Sequence, residues 1–158
     1  VQRGAMMSHE ARVDEFTEFV REHEPRLRQA LVAARGTQVG RDAACDALAY
    51  GWEHWDRIRV LDNPIGYLYR VGLRNKQLSP RRSPLFDGVA PRIPQVEPQL
   101  LEAVGGLPQR QRTVVVLVHC FQWSLGEVAE VTGLAKTTVQ NHLERAMTSL
   151  REALGVTR

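Results

Sequence analysis

Residues 124–146, "SLGEVAEVTGLAKTTVQNHLERA", decide how this chain is read. Ser124 followed by Glu127 has the form of a capping box, in which the hydroxyl bonds an early backbone N–H and the carboxylate reaches back. The helix opened there carries Leu125, Val128, Ala129 and Val131 and stops at Gly133, which readily takes the left-handed conformation. Leu134 packs the turn, and a second helix starts near Ala135 or Lys136. At about 100° per residue, Val139, Leu143, Ala146 and Leu150 share one face. Thr137, Asn141, Glu144 and Thr148 lie opposite, with Thr138, Gln140 and Arg145 on the shoulders. An outer face of short and mostly uncharged polar groups is unusual for solubility alone, where Lys and Glu dominate. It suits a helix laid in a major groove, because Asn and Gln pair with adenine edges and Arg145 reaches phosphate. The stretch reads as a helix-turn-helix rather than as two plain core helices.

The remainder of the chain narrows the class. A length of 158 residues allows one large domain or two small ones, and 43% apolar residues suffice for packed cores. No apolar run approaches the roughly 18 residues of a membrane span, and no apolar stretch opens the chain as a secretory leader would. "VQRGAM" at the start reads as an expression remnant. Cys45 and Cys120 lie far apart in apolar patterns and read as buried, reduced thiols of a cytosolic protein. His119 beside Cys120, without a C-x-x-C pair, does not make a metal site, so no metal and no cofactor are expected. There is no Gly-rich phosphate loop, no paired catalytic carboxylates and no nucleophile with a base at recognisable spacing. The chain is not expected to be an enzyme.

A net charge of +3 conceals two opposed regions. Residues 57–82 hold seven basic side chains (Arg57, Arg59, Arg70, Arg74, Lys76, Arg81, Arg82) against one acid, Asp62. Residues 10–24 hold six acids against Arg12 and Arg21. A protein that touches both DNA and an uneven protein surface needs such a division.

Helix follows helix along the sequence. Asp14 to about Ala34 is one helix through Phe16, Phe19, Val20, Leu27 and Leu31, with Pro25 as a point of kinking or splitting. Gly36 and Gly40 bracket a loop. Asp42 to about Ile58 is a second helix with Leu48, Trp52, Trp55 and Ile58 at helical spacing, and Pro64 opens a third with Tyr67, Leu68, Val71 and Leu78. Residues 79–98 hold five of the eight prolines and little apolar periodicity, which reads as a mobile, semi-extended linker. Leu100 to Val104 forms a short helix, and Val114 to Val118, strand-like in composition, reads as helix after Pro108. The expected fold is all-α: residues 1–9 a disordered start or expression remnant, one helical domain over 10–79, a Pro-rich linker over 80–98, and a helix-turn-helix domain over 99–158.

Two blocks of this chain carry a family resemblance. "LPQRQRTVVVLVH" followed by "WSLGEVAEVTGLAKTTVQNHLERAMTSLR" resembles region 4 of the bacterial sigma-70 family. Phe16 to about Gln77, with "WEHWDRI" and "NPIGYLYRVG", is similar to region 2 of its compact extracytoplasmic-function (ECF) group. The blocks follow in the family's order with no room for the extra domains of housekeeping members. Nineteen arginines against two lysines suit a high-GC actinobacterium. The resemblance departs from the family pattern at Asn75, which falls one position late, and at Thr132, where a larger apolar residue is usual.

The resemblance implies a role for each matched position. Asp42 and Asp46, four apart on one helix face, would contact the clamp helices of the polymerase largest subunit. Trp52 and Trp55 match core positions. The loop from Arg57 to Asn63 and the helix from Tyr67 to Lys76 would capture an unstacked base of the −10 element and hold its single strand, with Arg57, Arg59, Asn63, Arg70, Arg74, Asn75 and Lys76 as contacts. Thr137, Thr138, Gln140, Asn141 and Glu144 would read the −35 element, while Lys136, Arg145, Arg110 and Arg112 anchor phosphates. The implied partners are core RNA polymerase, promoter DNA and an anti-sigma factor, in the cytoplasm and without membrane insertion. The alternative is a sigma-like helix-turn-helix regulator that binds DNA without itself initiating transcription.

Overall fold

A computed structural model of the chain describes residues 7–74 and 98–156. The first helix, α1 (His9–Arg35), opens at Ser8, whose hydroxyl accepts the Ala11 N–H at 3.2 Å. It begins within the segment expected as a disordered start and runs unbroken past Pro25. Its C-terminal half buries Leu27, Ala30, Leu31, Ala33 and Ala34. Its N-terminal half lays Phe16 and Phe19 on Trp55, at ring separations of 5.1 and 4.9 Å. Trp55 is accordingly core, while Trp52 is half-buried, with the Arg12 guanidinium 4.5 Å above its ring.

The loop expected between Gly36 and Gly40 does not exist. Gly36, at φ 90°, ends α1, and α2 (Thr37–Glu53) starts on the next residue. Gly40 lies inside α2, where a Cβ would stand 2.5 Å from the Val32 Cα. Glycine there permits contact between the two helix backbones, and Ala43, Ala44 and Ala47 continue the close approach. A single turn, α3 (Trp55–Ile58), leads to α4 (Pro64–Arg74), which packs against α1 and α2 and buries Ile65, Leu68 and Tyr69. Asn75 and Lys76, Leu78, residues 80–97 of the linker expected over 80–98, and residues 1–6 lie outside the described residues.

The second half comprises α5 (Pro98–Gly105), α6 (Gln109–Val115), α7 (Leu125–Thr132) and α8 (Lys136–Ala153). A π-helical turn, Val116–Cys120, continues α6 and closes with a Phe121 N–H bond to the Val116 carbonyl at 3.1 Å. Val114 to Leu117 read as strand-like because every one of them is buried. They lie on a helical stretch packed between α1, α7 and α8, and a stretch buried at consecutive positions loses its amphipathic pattern. The fold is all-α, and no helix among the described residues is long and apolar enough to cross a membrane.

The halves pack directly on each other, α1 against α6 and α7 and α4 against α7, and their buried residues join in one core cluster. Cys45 and Cys120, expected to be buried, are free and exposed. Ala43, Ala44 and Ala47 around Cys45, and Val114 to Leu117 before Cys120, are the residues that face the core. Because two backbones meet at Gly40, Gly40→Val should cost about 1–3 kcal/mol through overpacking. Urea melts of the variant and the parent chain measure the loss.

Candidate nucleic-acid interface

The helix-turn-helix is built by α7 and α8. The Ser124 hydroxyl accepts the Glu127 N–H at 3.1 Å, as a cap requires. The Glu127 carboxylate does not complete the box; it pairs with Arg26 of α1 at 3.5 Å. Thr132, polar where an apolar residue was expected, is buried with its hydroxyl donating to the Val128 carbonyl at 2.6 Å. That internal bond satisfies the hydroxyl and leaves the methyl to pack. Gly133, at φ 73°, supplies the left-handed turn, and any side chain there would also collide with the Arg70 guanidinium.

Val139, Ala146 and Leu150 anchor α8 in the core, with Leu143 partly buried. Lys136, Thr137, Gln140, Asn141, Glu144 and Arg145 are exposed on the other side, and Thr138 is half-buried. The Gln140 amide is 3.4 Å from the Glu144 carboxylate, one turn along. His142, not anticipated as a site residue, sits half-buried behind this face. Desolvation first, then Arg110 and Arg145, lower its pKa, so its imidazole is neutral at neutral pH.

The basic segment of the first half divides into three settings. Arg57 donates to the Tyr50 hydroxyl at 2.8 Å, and that hydroxyl lies 3.4 Å from the Tyr67 hydroxyl. The Tyr50 ring rests on His54 at 4.3 Å, forming an aromatic and cationic surface patch. Tyr50 and His54 are not singled out by the sequence reading, although their i, i+4 spacing at the C-terminal end of α2 is there to be read. Arg59 instead closes a two-pronged ion pair on Glu15 at 2.7 and 3.2 Å. The third setting is the junction of the halves, with Asn63, Arg70, Arg74, Arg110 and Arg112.

At that junction Asn63 caps α4 by accepting the Gly66 N–H at 3.0 Å, and its amide donates to the Glu130 carbonyl of α7. Arg70 donates to the Gly133 carbonyl at 3.4 Å. Arg112 donates to the carbonyls of Ala34 at 2.5 Å and Ala33 at 3.4 Å, and Gln109 reaches Ala34 at 3.2 Å. The Trp123 indole N–H donates to Gln29 at 2.9 Å. Tyr69, buried under these contacts and hydrogen-bonded to Thr113, has its pKa pushed up to about 12, chiefly by desolvation. Arg74 and Arg110 are exposed. Asp42 and Asp46 share the outer face of α2; Asp46 is exposed, and Asp42 accepts from Gln38 at 3.3 Å.

Residues 98–150 match the family described as sigma-70, region 4. The chain is 29% identical over 152 residues to an RNA polymerase sigma-E factor of Streptomyces coelicolor, covering 89% of this chain and 86% of that protein. It is also 29% identical over 160 residues to the sigma-E factor of Streptomyces avermitilis, covering 94% of this chain and 89% of the relative. Among solved structures, the sigma factor RpoE in complex with the anti-sigma factor NepR from Bartonella quintana aligns at a TM-score of 0.57 and 18% identity, over 92% of this chain and 99% of that one. CnrH, solved in complex with the cytosolic domain of CnrY, aligns at 0.60 and 24% identity, over 92% and 91%. Both likenesses speak for the fold.

Arg112 places a cation at the carbonyl end of α1, where a helix carries partial negative charge. Arg112→Ala should therefore lower stability by about 1–2 kcal/mol. Arg145→Ala, on the open face of α8, should change it by less than about 0.5 kcal/mol. Parallel urea melts compare the two.

Proposed function

We propose that this chain, which belongs to the sigma-70 family and is of the compact ECF type, binds core RNA polymerase and directs it to specific promoters for transcription initiation. The observation that carries this reading is the exposed polar face of α8 within a region 4 match, in a chain that aligns with nearly the whole length of its sigma-E relatives. The chain acts in the cytoplasm as an initiation factor rather than as an enzyme. Residues 10–79 serve as the region 2 domain, 80–98 as the linker and 99–158 as the region 4 domain.

Each group has a chemical task. Gln140 and Asn141 offer amides to base edges in the major groove, with Thr137, Thr138 and Glu144 beside them. Lys136, Arg145 and Arg110 meet phosphates and fix register. Arg57, with Tyr50, Tyr67 and His54, offers a stacking and phosphate-pairing surface for the −10 single strand, and Arg70, Arg74, Asn75 and Lys76 would supply further contacts to that strand. Asp42 and Asp46 present negative charge to the polymerase clamp. Arg59, Asn63, Arg70 and Arg112 are engaged within the chain, so their use on DNA requires these internal bonds to be exchanged for phosphate and base contacts. The halves then separate when the promoter is engaged. An anti-sigma partner, as seen with RpoE and NepR, would act by preventing that separation.

Run-off transcription with core polymerase tests the reading. The chain should direct a specific start without any other sigma factor, whereas a regulator that does not initiate gives no transcript. On the preferred −35 element, Gln140→Ala or Asn141→Ala should weaken binding by about 1–3 kcal/mol and leave random DNA nearly unaffected. Arg145→Ala should weaken both alike. A uniform loss in the Gln140 and Asn141 variants would show that α8 is not the reader.

A further inference from the structure

Between α4 and the α6–α7 pair the junction of the halves leaves a cleft of ≈ 320 Å³. Arg70 and Arg74 line it from α4, one turn apart, and Arg110 lines it from α6. All three are exposed, and no carboxylate among the described residues pairs with any of them. Leu73, Val114 and Leu134 give the cleft an apolar lining, and no acidic side chain among the described residues is part of it. The Arg70 guanidinium is steadied by the Gly133 carbonyl, against a glycine whose missing side chain leaves the room it occupies.

Three like charges brought to one concavity repel each other, and that repulsion is relieved by an anion that touches all of them. A guanidinium presents several N–H donors in a planar fork matched to phosphate oxygens, so three of them suit a ligand with more than one phosphoryl group. The volume lies at the small end of ligand sites, too small for a duplex. We propose that this cleft is a binding site for a small polyphosphate anion, held by Arg70, Arg74 and Arg110 across the junction of the two halves. Because the cations come from both halves, the bound anion ties them together. It also withdraws three arginines from promoter DNA; that consequence rests on the function proposed above, whereas binding itself does not.

The test is therefore made without DNA, by calorimetric titration of the full chain with inorganic pyrophosphate and with sulfate at matched ionic strength. Pyrophosphate should bind saturably at one site per chain. Arg74→Ala and Arg110→Ala should each weaken it by about ten-fold, and Arg21→Ala, at a distant ion pair with Glu18, should leave it unchanged. Circular dichroism checks that the variants, all altered at exposed positions, keep their helices. Equal heats with sulfate, or equal affinity in the arginine variants, would overturn the proposal. So would a short oligothymidylate that binds through the same arginines more tightly than pyrophosphate, since the cleft would then belong to the single-strand path.

Discussion

The carbonyl end of α1 is where the two halves of this protein meet. A helix leaves its last carbonyls without internal partners, and those of Ala33 and Ala34 belong to fully buried residues. Left unbonded they would destabilise the fold, because a buried acceptor loses its hydrogen bonds to water. Arg112 and Gln109 of α6 supply the donors, and the guanidinium also answers the negative end of the α1 dipole. On the other side Arg35 donates to the Gly72 carbonyl at 2.7 Å and ties the same helix end to α4. One helix terminus thus fixes α2 through Gly36, α4 through Arg35 and α6 through Arg112.

This constraint bears on function because the interlocking groups are of the type that DNA binding requires. Amide and guanidinium donors that satisfy helix carbonyls satisfy phosphate oxygens equally well. The chain holds Asn63, Arg70 and Arg112 in internal bonds, while Gln140 and Asn141 lie exposed on the outer face of α8. On the function proposed above, the base-reading face of α8 is therefore accessible in this arrangement, and part of the proposed phosphate-binding set is not.

Local features of the sequence were legible and long-range ones were not. The Ser124 cap, the left-handed Gly133 and the buried stripe of Val139, Ala146 and Leu150 all follow from spacing within a few residues. The all-helical class followed from the same periodicity. Arg112, by contrast, finds its partners 78 and 79 positions away, and nothing near it in the chain marks it as a junction residue. Arg59 paired with Glu15, and Glu127 with Arg26, for the same reason. The disappearance of the Gly36–Gly40 loop depends on how closely α1 and α2 approach, which small residues permit but do not announce.

The interlock of the two halves can be measured with the chain's own chemistry. Its two cysteines, Cys45 on α2 and Cys120 after α6, are exposed and lie in opposite halves. Spin labels at both, read by double electron–electron resonance on the free protein, should give a single narrow population at short distance. It should lengthen when core polymerase and promoter DNA are added. A broad distribution reaching to long distances in the free protein would contradict the account, because the halves would then not be held by the end of α1.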